Sequence, residues 1–536
     1  MEKKTLLAII ISIAILIAWD IFIIQPRTPK EQLENKQKAT AVAPAITSSA
    51  TPQQLSPVPA ATPAPASQAG MKNASIITIE TPLYTAKWNT KGGQLISLKL
   101  KKYRQTIDTN AAPVELIKAP MPTLLISGGF TDSNLVYECP QIGAIIVEDS
   151  VYQLVFTAEA SQGTSIKKIY TIDPKTYLLT YQTIIANNTK SPMAISGGLL
   201  FTSNYPLGEK SSSYAFEGPV ILNGKHLEEF KIDKVKDIGS YRDFSGTIQW
   251  FGFEDKYFLQ TIIARNPENA SLSIRRTDTK TIGLIYTFPQ ITIQPGASLT
   301  KDAFIFIGPK EIRTLKAAGY NLNKALDFGF FDLIAKPLLI AMNWINMYTN
   351  SYGWTIIILT IIIKILLYPL TLKSFTSMKE LQKIQPLMKE IQQQYKDDKQ
   401  KLNQELMKLY QEHKINPMGG CLPMLLQIPI LFALYKVFYQ AIELRHTSFH
   451  LIGTWLPDLS AKDPYYITPI LMGASQFLMQ KMTPAAGDPM QQKVMLMMPV
   501  IFTFLFLNFP SGLVIYWLIS NILSIAQQAY INRKHT

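Results

Sequence analysis

Two cysteines and five histidines in 536 residues leave little material for disulfide, redox or metal chemistry. Cys139 lies in a stretch of soluble character and Cys421 at the start of an apolar run, so no disulfide framework follows. His226, His413, His446, His450 and His535 show no metal-ligand spacing. There is no Walker loop, nucleophile elbow or His-Glu-x-x-His pattern, so nucleotide hydrolysis, acyl transfer and zinc hydrolysis have no candidate residues. Neither a catalytic constellation nor a cofactor site is expected. Charged residues are also scarce, 17% against 47% hydrophobic ones, which indicates a mixed membrane and water-soluble chain. A formal net charge of +14 would suit nucleic acid. Much of the basic charge flanks apolar runs, however, where it sets membrane orientation, and no specific nucleic-acid sequence is expected as a partner.

What is present is unevenly distributed. After Lys3 and Lys4, residues 6–24 are apolar apart from Ser12 and Asp20, with no small-x-small cleavage pattern behind them. This reads as a transmembrane anchor over 1–27, lysines inside. Residues 28–70 are rich in Pro, Ala, Ser, Thr and Gln and lack the large apolar residues that build a core. As a flexible coil this linker spans roughly 35 to 40 Å. From Ser75 to about Pro309 come short alternating runs, such as Ile76-Ile77-Thr78-Ile79, Gln153 to Thr157, Tyr177 to Tyr181 and Ile282 to Tyr286. Turn signals at Lys91-Gly92-Gly93, Asp173-Pro174, Asn187-Asn188 and Gln294-Pro295-Gly296 punctuate them. The pattern predicts a large antiparallel β-sandwich over 71–320. Its strand aromatics either pack in the core or line a groove.

Residues 321–350 mix Phe, Leu and Ile with Asp327, Asp332, Lys336 and Trp344, as an amphipathic helix lying in a membrane interface does, with an extra span as the rival reading. The apolar run Trp354 to Leu372 has spanning length and a single charge, Lys364. Lying eight residues before Leu372, the lysine sits roughly 12 Å inside that end at 1.5 Å rise per residue. Charges at such depth face a bundle interior or a wet cavity; the alternative is a stem that snorkels to the nearer interface.

Beyond Leu372 the chain turns polar and periodic. Leu381, Ile384, Met388, Ile391 and Tyr395, then Leu402, Leu406 and Leu409 after Lys396-Asp397-Asp398-Lys399, predict a coiled-coil helical hairpin over 373–416. Nine lysines against six acidic residues between Lys373 and Lys414 put it on the inner side. Further spans are expected at 417–442, 464–482, 494–508 and 510–531. Outer loop 443–463, inner loop 483–493 and inner tail 532–536 complete a six-span count with both termini cytoplasmic. Met472, Met479, Met482, Met490, Met495, Met497 and Met498 suit either an adaptable client surface or span packing.

The ordered set Tyr368-Pro369-Leu370-Thr371, Gln385-Pro386, Asn416-Pro417-Met418-Gly419-Gly420-Cys421-Leu422-Pro423, Gln427-Ile428-Pro429-Ile430, Asp463-Pro464-Tyr465-Tyr466, Asp488 to Lys493 and Pro510-Ser511-Gly512-Leu513 resembles the YidC-type membrane protein insertase family. The match covers most of the chain from about Phe328. The anchor and β-domain resemble the Gram-negative branch, which implies a supersandwich-like periplasmic domain and a cell inner membrane location. The resemblance implies a five-span core around a hydrophilic groove open to the cytoplasm and closed on the outer side. Lys364 would be its positive charge, with Thr360, Tyr516 and Trp517 at further groove positions. Gln427 joins them by position. The family usually has arginine where this chain has Lys364, so the charge is kept and the planar five-donor fork is lost. Implied partners are nascent membrane proteins, ribosome-nascent chain complexes, the Sec translocon and membrane lipids. Two other readings stay open on the residues alone. One is a secondary transporter with Lys364 as a substrate or proton site, although no inverted repeat is visible. The other is a membrane-anchored sugar-binding protein centred on the β-domain.

Overall fold

The computed structural model describes residues 74–126, 130–160, 163–205, 216–231, 241–265, 267, 269–396, 398–413, 422–450, 455–482 and 489–534. The expected anchor and linker lie outside the described residues.

Alternation builds the β-domain. In Leu178–Asn187 every second residue from Leu179 to Asn187 is buried, and Thr164–Ile172 shows the same two-residue period. A five-stranded sheet runs in the order Pro113–Glu115, Gln94–Arg104, Tyr84–Asn89, Ile76–Glu80, Gly143–Ile146. A larger sheet is assembled around the fourteen-residue strand Tyr241–Glu254. Its first half pairs with Asn269–Arg276, and its second half lies between Gly218–Asn223 and Phe258–Ala264. The exchange of partners falls near Gly246, whose φ of 133° an L side chain rarely adopts. The same sheet continues through Ser298–Pro309, Leu178–Asn187, Thr164–Ile172 and Tyr152–Ala160.

The two sheets face each other across an aromatic core, with Trp88 edge-on to Tyr170 at 5.8 Å and Tyr84 against Tyr177 at 6.4 Å. The Lys91-Gly92-Gly93 turn, with φ of 76° and 54° at its glycines, turns its carbonyls inward. Gly92 O accepts from Lys168 Nζ at 2.6 Å and Gly93 O from the Tyr170 hydroxyl at 2.8 Å. Fully buried Lys168 also pairs with buried Asp132, which accepts from the Tyr137 hydroxyl at 2.7 Å and the Leu124 amide at 2.9 Å. The buried charges are therefore compensated from both sheets.

The antiparallel expectation needs one correction: Ile76–Glu80 and Gly143–Ile146 are parallel. Some sixty residues separate them, enough chain to cross over before returning in the same direction, and no local alternation reveals that.

Helices follow the sheets: α1 (Ile312–Ala318), α2 (Asp332–Thr349), α3 (Tyr352–Lys383), α4 (Gln385–Gln394), α5 (Lys399–Glu412), α6 (Leu422–Gln440), α7 (Ile467–Met482), α8 (Pro489–Phe506) and α9 (Ser511–Lys534). Within 321–350 the first part forms 3-10 turns, and α2 runs from Asp332 to Thr349. Ala335, Leu339, Met342 and Ile345 of α2 are buried, while Leu333, Trp344 and Tyr348 are exposed. The helix runs on past 372, where the apolar run ends. Lys373 to Lys383 continue α3, with Pro369 inside it, and the break comes at Ile384, just before Pro386. A proline in the first turn of a helix loses no internal bond there.

The hairpin seam gathers Leu381, Ile384, Met388 and Leu409, with Ile391, Leu406 and Tyr410 packed beside them. Tyr395 and Leu402, expected in it, are not part of that cluster. The turn between α4 and α5 ends in Asp398, which caps the Gln400 and Lys401 amides at 3.1 and 3.0 Å. Among the described residues, Tyr352–Lys383 and Ser511–Ile531 are long and apolar enough to cross a membrane. The α7/α8 crossing depends on Gly473, where a Cβ would lie 1.9 Å from Thr503 Oγ1. Between α8 and α9 the chain reverses within 507–510.

Candidate functional site

The polar residues of the helical part converge on one side of α9. Counted in fours, Tyr516, Ser520, Ser524 and Gln528 form a stripe along this helix, and all four are buried. Two neighbouring helices reach the stripe one turn apart. Lys364 Nζ of α3 donates to Ser524 Oγ at 2.7 Å, and Gln427 Nε2 of α6 donates to Ser520 Oγ at 3.0 Å. The lysine is half-buried, and its amine is turned to a neighbouring helix rather than along its own helix. Its assigned partner is a neutral hydroxyl, which leaves the positive charge uncancelled.

The remaining expected residues divide. Thr360, one turn before Lys364 on α3, is fully buried and spends its hydroxyl on Ile356 O at 2.6 Å, a bond within its own helix. Tyr516 continues the α9 stripe, and its buried hydroxyl has no hydrogen bond of good geometry among the described residues. Trp517 turns away from Lys364 and donates to Gln476 Oε1 of α7 at 3.2 Å. The structure thus brings Lys364, Gln427 and Tyr516 to one stripe, and places Trp517 on the adjoining seam with α7.

Residues not singled out from the sequence complete the arrangement. Besides Ser520 and Ser524, Asn521 Nδ2 donates to Ser475 Oγ at 3.0 Å and Gln528 Nε2 to Met482 O at 2.8 Å. The four-residue spacing of Ser520, Ser524 and Gln528 inside an apolar run was the available signal.

The two ends of the stripe differ. Beside the N-terminal part of α9, Phe506 lies 4.9 Å from Trp517 and 4.8 Å from Phe509, and Phe509 lies 5.3 Å from Tyr435. The loop before α7 folds over the same end. Ala461 O accepts from the Ser511 amide at 2.7 Å and Leu459 O from the Gly512 amide at 3.0 Å. Buried Asp463 caps the start of α7 through the Thr468 amide at 2.7 Å and hydroxyl at 2.8 Å. Aromatic rings and the loop before α7 thus pack against one end of the stripe, and the polar groups run from it toward the other. A stripe of hydroxyls and amides beside one uncancelled cation is rare among apolar helices.

Comparison with known proteins fits both halves. Residues 76–341 match the family model described as YidC periplasmic domain, and residues 344–536 match the one described as 60Kd inner membrane protein. The membrane protein insertase YidC of Syntrophus aciditrophicus (strain SB) is 43% identical over 550 aligned residues, covering 100% of both chains. The chain belongs to the YidC family of membrane protein insertases. A relative of the same description from Pelobacter propionicus (strain DSM 2379 / NBRC 103807 / OttBd1) is 40% identical over 559 residues, 99% of each chain. The one from Geobacter sulfurreducens (strain ATCC 51573 / DSM 12127 / PCA) is 43% identical over 444 residues, 81% of this chain and 82% of its own. Membership makes this an inner-membrane insertase with a periplasmic β-domain.

Proposed function

We propose that this insertase carries out membrane protein insertion through a wet groove between α3, α6 and α9, with Lys364 as its fixed cation. A nascent membrane protein presents a hydrophilic flank, often acidic. The flank enters the groove from the cytoplasm, where the Lys364 ammonium offsets part of the cost of dehydrating its charge. The client's apolar segment meanwhile slides along the lipid-facing surface of the spans, gaining about 25 cal/mol per Å² as it leaves water. Burial supplies the drive, and no covalent step or nucleotide is required.

The observation that carries this reading is the Lys364–Ser524 bond at 2.7 Å, which directs the amine into the helix bundle. The aromatic rings and strapped loop packed at one end of the stripe support a groove closed on the periplasmic side. Thr360 and Tyr516 contribute to the groove wall, Gln427 tethers α6 to it, and Trp517 braces α7. Six spans with both termini cytoplasmic complete the topology: the N-terminal anchor, α3, α6, α7, α8 and α9. The α4/α5 hairpin lies on the cytoplasmic side, where ribosome-nascent chain complexes dock, and the Sec translocon shares clients.

Site-specific photo-crosslinking from Lys364, Gln427 and Ser520 to a nascent membrane protein on ribosomes tests the groove. Crosslinks from these positions and none from the lipid-facing side of α3 are expected for a polar flank. The reverse pattern rejects the route.

A further inference from the structure

A cleft whose lining includes Lys118, Lys256 and Arg445 together with Glu115, Glu217 and Asp255 lies where the β-domain meets the end of α6. We propose that this recess binds the phosphate of an anionic phospholipid headgroup in the outer leaflet, through Lys256 and Arg445. The inference rests on reading α6 as a span whose Gln440 end reaches the periplasmic interface.

The recess is a cleft of about 460 Å³. One wall is the turn at 255–257, which joins the strands ending at Glu254 and starting at Phe258; another carries Arg445, five residues past the end of α6. Lys256 Nζ sits 4.6 Å from the centre of the Tyr257 ring and 4.0 Å from that of Tyr439, the latter on α6. The Arg445 guanidinium lies 5.4 Å from the Tyr257 ring and 5.7 Å from Phe258, and donates to Gln105 O at 3.2 Å. Two cations thus share one tyrosine.

Acidic residues are near: the charge of Asp458 acts on both Lys256 and Arg445 and that of Asp255 on Arg445, though each has hydrogen-bond donors of its own. Asp255 Oδ1 caps the Tyr257 and Phe258 amides, both at 2.8 Å. Glu115 faces Lys99 at 3.9 Å, and Glu217 faces Lys118 at 4.0 Å. Asp458, beyond the cleft, accepts from the Ser460 amide and hydroxyl. Among the described residues neither Lys256 nor Arg445 has a carboxylate within ion-pair distance. Burial pushes the Lys256 ammonium down to about 8. Lys256, half-desolvated over two rings and without a carboxylate at ion-pair distance among the described residues, is arranged for an anion that arrives from outside. Tyrosines with flanking cations are also what a protein presents at headgroup level. The lipid is favoured over a free phosphate because the recess adjoins the end of a span, so the acyl chains of a bound lipid stay in the bilayer.

The test uses the full chain in dodecyl maltoside and native mass spectrometry, with dioleoyl phosphatidylglycerol, dioleoyl phosphatidylcholine and inorganic phosphate as separate probes. Phosphatidylglycerol should bind in preference to phosphatidylcholine. Lys256→Gln and Arg445→Gln should each weaken it about tenfold, the effect of losing one charge-assisted hydrogen bond, while Lys256→Arg retains binding. Equal binding by wild type and the Lys256→Gln/Arg445→Gln double variant overturns the site. Displacement of the lipid by inorganic phosphate at equal concentration overturns the lipid as its source. Cysteine labelling of position 440 from the periplasm tests the α6 reading separately. A site that binds lipid while position 440 labels only from the cytoplasm would keep the binding and reject the leaflet.

Discussion

Replacing Lys364 by methionine removes the charge while keeping the length and apolar stem of the side chain. With a client carboxylate about 5 Å away and an effective dielectric near 20, the ammonium contributes about 3 kcal/mol. That is roughly a hundredfold in insertion rate for a client with one acidic residue in its translocated flank. A neutral flank has no such term and should insert at nearly the wild-type rate. Stability should move differently. The variant loses the bond to Ser524, about 1.5 to 3 kcal/mol, but it also no longer desolvates a cation, which costs several kcal/mol. The melting temperature should therefore hold or rise. Paired clients differing only in the charge of the flank, inserted into proteoliposomes and scored by protease protection, separate these effects. Equal loss for both clients, or a melting temperature that falls in parallel with activity, would refute the electrostatic role.

Other expectations concern stability, and thermal unfolding of the full chain measures each. Glu443, whose carboxylate accepts from Asn343 Nδ2 of α2 at 3.0 Å, is pushed up by burial from 4.5 to about 6. The folded state thus binds the proton more tightly than the unfolded one. Its contribution is complete below about pH 4.5 and is lost as pH rises to about 6, by roughly 1 to 2 kcal/mol. Glu443→Gln should flatten that stretch of the stability profile and raise stability at neutral pH; an unchanged profile excludes the carboxylate as its source. Gly473→Ala should cost about 1 to 3 kcal/mol by pressing a methyl into Thr503, with partial recovery in the Thr503→Ala background; wild-type melting would mean that α7 and α8 are not in close contact. Lys168→Met, which strands Asp132 between the sheets, should destabilise the β-domain by about 3 to 5 kcal/mol, and a smaller loss than Asp132→Asn causes would show that the carboxylate finds other compensation.

Much of this arrangement was legible in the residues, and the failures have identifiable causes. Strand alternation from Ile76 to Pro309 and the glycine turn at Gly92-Gly93 are local signals, and they marked the β-domain. The parallel pairing of Ile76–Glu80 with Gly143–Ile146 is nonlocal and left no pattern. Polarity after Leu372 marked the end of the apolar run but not how far the helix extends, since polar residues propagate a helix as well as apolar ones do, and the chain breaks it at Ile384. At the site, Lys364 stood out because a charge in an apolar run is rare. Its partner Ser524 did not, since a serine inside a span is unremarkable until the four-residue ladder from Tyr516 to Gln528 is set against a neighbouring helix.

The unbroken α3 has a mechanical consequence. From Lys364 to Lys383 the backbone is one rod about 28 Å long at 1.5 Å per residue, weakened only where Pro369 removes a hydrogen bond. Leu381 of the hairpin seam and Lys364 therefore stand on one helix, and Pro369 between them is the point at which it bends most easily.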